Sequence, residues 1–169
     1  HPAQFIQINH SINHQMIDRA IELLNIQKQD RILDLFRGIG NFSLPIAKHC
    51  KTLIGVEGDD SAVTQAKANA IDNQLSNTEF YTANLFEDIK HQAWAKQPFD
   101  KILLDPPRCG AKEILEQIKQ WQPKRIVYVS CHPATLARDA EILTKYGYHL
   151  TMTGIMDMFP HTQHVEVMA

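Results

Sequence analysis

Apolar and polar positions follow two rhythms along this chain. Ile12, Met16, Ile17, Ala20, Ile21 and Leu24 recur three and four residues apart, which predicts an amphipathic helix over 12–26. Short apolar runs follow: RILDLF (31–36), TLIGVE (52–57), TEFYTA (78–83), DKILLD (100–105) and RIVYVS (125–130), each predicting a strand. Helices are expected between them, near 41–50, 60–73, 85–95, 111–121 and 133–146. The last stretch, 148–169, loses the helical period and ends in HVEVMA, which predicts two final strands. Strand and helix in alternation mean a parallel sheet covered on both faces. The expected fold is therefore α/β: a doubly wound, Rossmann-like, mostly parallel sheet closed by a C-terminal β-hairpin.

Composition adds boundaries to this picture. A chain of 169 residues predicts one domain, 1–169, and 44% hydrophobic with 21% charged residues excludes intrinsic disorder. No apolar run approaches the ~18 residues of a membrane helix, so no membrane partner is expected. Cys50, Cys109 and Cys131 are odd in number and widely spaced, which suits a reducing, cytoplasmic compartment rather than a disulfide framework. Two histidine pairs, His10/His14 and His161/His164, lack a carboxylate or cysteine at ligand spacing, so no metal site is expected. Net charge −2 argues against a strongly basic nucleic-acid binder, although residues 101–145 hold eight Lys/Arg against five Asp/Glu. The opening at His1, without a start methionine or secretion signal, leads to the expectation that the chain is part of a longer protein.

In such sheets ligands sit at the carboxyl ends of the strands. The first strand ends in DLFRGIGNF, where Gly38 and Gly40 permit a tight turn close to a ligand, while Ser43 breaks the third position of GxGxxG. Glu57 lies 19 residues after Gly38, near the spacing at which an acid accepts both ribose hydroxyls; it also reads as a solvated strand end. Asn84 fits an adenine edge or simply the start of the next helix. Two prolines after Asp105 stiffen the turn and either aim that carboxylate into the crevice, an arrangement typical of methyltransferases acting on planar nitrogenous rings, or simply leave it as a capping residue of a stiff loop. Cys131 precedes Pro133 at a helix start, where the partial positive charge favours a thiolate; it also reads as a small buried hydrophobic residue, as most cysteines of α/β domains are. Cys50 reads as structural and Cys109 as a loop thiol.

FIQIN (5–9), DLFRGIGNFSLPIA (34–47), GVEGD (55–59), LLDPPR (103–108), YVSCHPATLARD (128–139) and DMFPHTQHVEVM (157–168) together resemble the RNA uracil-5-methyltransferases, and most nearly their 23S rRNA branch. The resemblance spans essentially the whole chain in order. It implies a class I S-adenosylmethionine-dependent methyltransferase fold, with 23S ribosomal RNA as partner; nothing in the sequence demands more than a monomer. It places cofactor contacts on Gln7, Phe36, Asn41, Glu57, Asn84 and Asp105, the nucleophile on Cys131 and the general base on Glu166. Gln7, Phe36, Asn41 and Glu166 rest on the resemblance alone. The implied reaction adds the Cys131 thiolate to carbon 6 of a uracil so that carbon 5 becomes nucleophilic, and Glu166 then removes the carbon 5 proton.

Four departures from the family pattern stand out. Arg37 occupies a position usually held by Cys, and His132 one usually held by Asn. Pro106-Pro107 is closer to the tRNA branch than to the DPAR-like loop of the 23S branch. Finally, full-length members of the branch carry an N-terminal OB-like RNA-binding domain and a cysteine-held iron–sulfur cluster. No such segment occurs here, so the chain is expected to be the catalytic domain, with any such cluster only in the missing region. Rival readings are an amino-methyltransferase working through the DPPR loop, a tRNA substrate, and a silent cofactor- or RNA-binding module.

Overall fold

The computed structural model describes residues 10–157 and 165–169. Helix α1 (His10–Leu24) leads into β1 (Arg31–Leu35), α2 (Ser43–Ala47), β2 (Thr52–Glu57), α3 (Asp60–Asp72) and β3 (Thr78–Thr82). Then come β4 (Lys101–Leu104), α4 (Lys112–Trp121), β5 (Arg125–Ser130), α5 (Pro133–Lys145), β6 (Gly154–Met156) and β7 (Glu166–Met168). The seven strands form one sheet in the order β3-β2-β1-β4-β5-β7-β6. Strands β1 to β5 pair in parallel, and β7 runs antiparallel to both β5 and β6. The mostly parallel α/β sheet and its closing antiparallel strand pair thus match the expectation from sequence.

Side-chain parity along each strand divides the core in two. Ile32, Leu53, Phe80, Leu103 and Val127 pack with Met16, Ala20, Leu24, Ile46 and Ala66 from α1–α3 and with Phe42, which precedes α2. Leu33, Leu35, Ile54, Val56, Ile102 and Leu104 pack on the other face with Ile114, Leu115 and Ile118 of α4 and Leu136 and Leu143 of α5. Order reverses beside β1, where β2 lies on one side and β4 on the other. That switch opens a crevice at the carboxyl ends of β1, β2 and β4. At the opposite end, the buried ammonium of Lys101 pairs with Asp30 and donates to the Asn25 carbonyl, tying β4 to the turn before β1.

Two expected helices differ. No α-helix forms over 85–95; the segment is a run of turns ending in a 3₁₀ turn, Trp94–Lys96. Its side chains compete with helical bonding: Asn84 Oδ1 accepts from the Phe86 amide at 3.1 Å and Asp88 Oδ1 from the Lys90 amide at 2.9 Å. The spacing of Leu85, Ile89 and Trp94 reflects burial of a compact loop, since all three are core residues. The helix expected at 41–50 shrinks to the five residues of α2, because the preceding turns consume Asn41 and Phe42.

Candidate active site

The glycine loop turns sharply at the end of β1. Phe36 adopts φ +62°, costly for a side chain with a Cβ, and Gly38 and Gly40 follow at +53° and +95°. The Phe36 amide donates to the Val56 carbonyl at 3.0 Å, and its ring packs 5.6 Å from that of Phe86. Glu57 then holds the loop. Its Oε2 accepts from the Gly38 amide at 2.9 Å, while Oε1 accepts from the amides of Gly58 (2.7 Å) and Asp59 (3.2 Å). An ionised carboxylate has about four acceptor sites, so capacity remains for a hydroxyl donor such as a ribose. The expected meeting of glycine loop and acid is therefore realised.

Beneath the loop lies a cluster that the sequence reading passed over. Asp34 is fully buried, accepts from Ser43 Oγ at 2.5 Å, and has an Oδ1 with no hydrogen-bond partner among the described residues. Burial raises its pKa to about 7, against the opposing effects of the Ser43 bond and the Arg37 charge. Arg37, which stands where the family usually has Cys, is 3% exposed: its side chain is folded underneath the loop. One signal was available, since an aspartate within the otherwise apolar run ILDLF (32–36) has no reason to be there for packing.

The second half of the site gathers on β4, β5 and β7. Asp105 follows β4 directly, and its amide donates to the Leu35 carbonyl at 3.2 Å. Burial, with the nearby charges of Glu166, Asp34 and Glu57, lifts its pKa well above the usual carboxylate range. Cys131 follows β5, and Ser130 of β5 stands opposite Val167 of β7, which brings Glu166 to the same end of the sheet. Glu166 is 6% exposed and burial raises its pKa. The Cys131 thiol feels Glu166, Arg108 and Asp105. Its pKa is raised, first by burial and then by Glu166, with Arg108 pulling the other way; the thiolate-favouring shift expected from the helix start does not prevail. His132 is the N-cap of α5, its ring accepting from the Thr135 amide at 3.4 Å, with Pro133 opening the helix.

The loop after Asp105 is clamped to α5 through Asp139. This fully buried carboxylate accepts from the Ala111 amide (2.7 Å), Tyr128 Oη (2.6 Å) and Arg138 Nε (2.8 Å), while Arg138 Nη2 reaches the Cys109 carbonyl at 2.9 Å. Gly110 is required at this junction: its φ is +82°, and a Cβ there would lie 2.6 Å from Asp139 Oδ2. This clamp too went unnoticed in the sequence, where Arg138-Asp139 looks like an ordinary helix surface.

Other expected contacts are placed less directly. Asn84 is exposed, its amide engaged with Glu87 and the Phe86 turn. Asn41 exchanges two 2.9 Å hydrogen bonds with Asn13 of α1, which commits its side chain to the helix. Gln7, and the histidines His161 and His164, lie outside the described residues. Among the described residues no group of three or more His, Cys, Asp or Glu side chains is placed to hold a metal, and no helix is long and apolar enough to cross a membrane. Cys50 is half-buried with its thiol pushed up to about 11 by burial, and Cys109 is exposed. A cavity of about 310 Å³ lies apart from this chemistry, between α5 and the amino-terminal half of β5, lined by Ile126, Tyr128, Leu143 and Tyr148. It holds neither cysteine nor carboxylate side chain, so the crevice with Cys131 and Glu166 is the candidate site.

Known proteins align with both halves of this site. Residues 2–168 match the family model described as tRNA (Uracil-5-)-methyltransferase. A relative from Photobacterium angustum, named 23S rRNA (uracil(1939)-C(5))-methyltransferase RlmD, is 54% identical over 167 residues, covering 99% of this chain and 76% of its own length. A Photobacterium profundum protein of the same name is 53% identical over 168 residues, yet the chain spans only 36% of it. Among solved structures, the Pyrococcus abyssi tRNA (uracil-54, C5)-methyltransferase in complex with S-adenosyl-L-homocysteine superposes with a TM-score of 0.85 at 32% identity, over 99% of this chain and 40% of that one. The sheet order, the class I methyltransferase fold and the match along nearly the whole sequence lead to one conclusion: this chain belongs to the tRNA (uracil-5-)-methyltransferase family.

Proposed function

We propose that this chain is the catalytic domain of an enzyme that uses S-adenosylmethionine to methylate carbon 5 of a uridine in 23S rRNA, the reaction for which its bacterial relatives are named. The observation that carries the reading is the antiparallel pairing of β7 with β5, which sets buried Glu166 within electrostatic reach of Cys131. Nothing in the reading asks for more than a monomer, and a reducing, cytoplasmic setting suits a free nucleophilic thiol.

The residues present fit the cofactor by their chemistry. Glu57 keeps acceptor capacity for ribose hydroxyls, and the crowded carboxylates Asp34, Glu57 and Asp105 favour a cationic ligand, since a positive charge offsets both the burial and the neighbouring negative charges that lift Asp105. When bound, S-adenosylmethionine supplies an electrophilic methyl group. Phe36, Glu57, Asn84 and Asp105 would hold it at the switch point, with Asn41 reaching it after releasing Asn13. Gln7 is assigned there on its motif alone.

Cys131 does the activating chemistry. Its sulfur forms a bond to carbon 6 of the uracil, and the electron pair of the 5,6 double bond moves onto carbon 5 as an enolate. Carbon 5 then takes the methyl group. Glu166 accepts the carbon 5 proton, and the returning electron pair restores the double bond as the carbon 6–sulfur bond breaks. The two faces and the edge of the ring must be reachable, so the target uridine is unpaired or flipped from its stack.

The test is an RNA fragment of 23S sequence with 5-fluorouridine at the target position, incubated with cofactor and the protein. Fluorine does not leave as a proton, so intact mass should reveal a methylated RNA–protein adduct, and Cys131→Ala should give none. Methyl transfer surviving in Cys131→Ala would instead favour the amino-methyltransferase reading. Adduct on a tRNA fragment but not the rRNA fragment would move the substrate to the tRNA branch.

A further inference from the structure

The guanidinium of Arg37 sits in a slot built for it. Its Cδ and Nε lie 2.3 Å and 2.8 Å from where a Cβ on residue 55 would be, so only Gly55 leaves room, and its Cζ stacks 4.3 Å from the centre of the Phe80 ring. Register places Gly55 between Asp34 of β1 and Phe80 of β3. For stability this is a poor use of the space. Nε and Nη2 are buried with no hydrogen-bond partner among the described residues, and a buried cation without full pairing is worse than an apolar side chain of similar size. Burial lowers its pKa to about 10, so the side chain stays charged at neutral pH.

What Arg37 contributes is directed at the loop. Nη1 donates to the Gly38 carbonyl at 2.9 Å, while the Gly38 amide donates to Glu57 Oε2 at 2.9 Å. Gly38 is thus gripped on both sides at φ +53°, between a cation below and the ribose-facing acid above. The charge of Arg37 also acts favourably on Asp34 and Glu57. We propose that Arg37 is a positioning residue of the cofactor site: it locks the Gly38 backbone from beneath so that Glu57 is held in the orientation that receives the ribose. The proposal rests on the cofactor assignment made above and names a residue of this chain that specifies affinity without touching the ligand.

The experiment compares the wild type with Arg37→Met, which fills the slot without charge, and Arg37→Lys, which keeps the charge but not the planar fork. Three quantities are read: calorimetric affinity for S-adenosylhomocysteine, hydrogen-exchange protection of the Gly38 amide by NMR in the free protein, and thermal stability. In Arg37→Met, affinity and Gly38 protection should each fall about tenfold, the scale of one charge-assisted hydrogen bond, with melting temperature unchanged or raised. Arg37→Lys should recover part of both losses. Unchanged affinity and protection in Arg37→Met, or a fall in melting temperature that accounts for both losses, would overturn the proposal. Absence of binding by the wild type would count against the cofactor assignment instead, and the Gly38 protection ratio would then decide the role of Arg37 by itself.

Discussion

In the proposed mechanism Cys131 and Glu166 divide the chemistry between them, and each carries a separate prediction. On that mechanism, replacing Glu166 by Gln removes the acceptor for the carbon 5 proton but leaves the addition step intact. Turnover should fall by about 10²–10⁴-fold while a methylated covalent adduct accumulates on unmodified uridine, detectable by intact mass. Burial and the carboxylates raise the Cys131 pKa, so kcat/KM should climb with pH above neutrality as the thiolate forms. Arg108 opposes that shift, and Arg108→Ala should therefore move the rise to still higher pH. A profile flat between pH 7 and 9 would contradict the thiol assignment. At this scale the sequence named both residues, one from its place after a strand and one from resemblance; the direction of the cysteine shift depended on burial first, then on neighbours brought in from β7 and from the loop after β4.

Elements position these residues through a few polar ties. The clamp centred on Asp139 joins α5, which begins two residues after Cys131, to the loop that begins at Asp105. Asp139→Ala would strand the Tyr128 hydroxyl and the Ala111 amide in the core. Chemical denaturation should register a loss of about 3 kcal/mol, against about 1 kcal/mol for Tyr128→Phe, which removes one hydrogen bond cleanly. The turns at 84–96 teach the limit of periodicity. Leu85 and Ile89 carry a helical spacing, yet the Asx turns of Asn84 and Asp88 offer the backbone other partners, and burial of Trp94 beside Trp121 fixes a loop. Pattern reports which residues are buried more reliably than the backbone that buries them.

Across the molecule, the carboxylates at one end of the sheet set its response to pH. Asp34 holds its proton more tightly in the folded protein than in the unfolded chain, so its contribution is complete below its ordinary value of 3.8 and is lost as pH rises through about 7. Asp105 is shifted in the same direction. The ligand-free protein should therefore lose thermal stability between pH 5 and pH 8. Asp34→Asn should flatten that slope and melt at least ~3 °C above the wild type at pH 8, as expected for relief of roughly 1 kcal/mol or more in a domain of this size. A melting temperature equal to the wild type at pH 8 would mean that Asp34 is not under strain there.

Sequence alone determined the alternation of strands and helices, the acid and glycines of the crevice, and the motifs that carry the family resemblance, because each is a local pattern of burial, turn chemistry or residue order. It did not determine the cluster of Asp34, Arg37 and Ser43, the grip on Gly38, or the clamp at Asp139. These arise where strands and helices distant in the chain exclude water together. Gly55 illustrates the difference: in sequence it is a weak point in a strand, and in the sheet it is the floor of a slot for Arg37. The identity of a buried partner, and the pKa that follows from it, belong to the tertiary structure, since desolvation and charge act through space rather than along the chain.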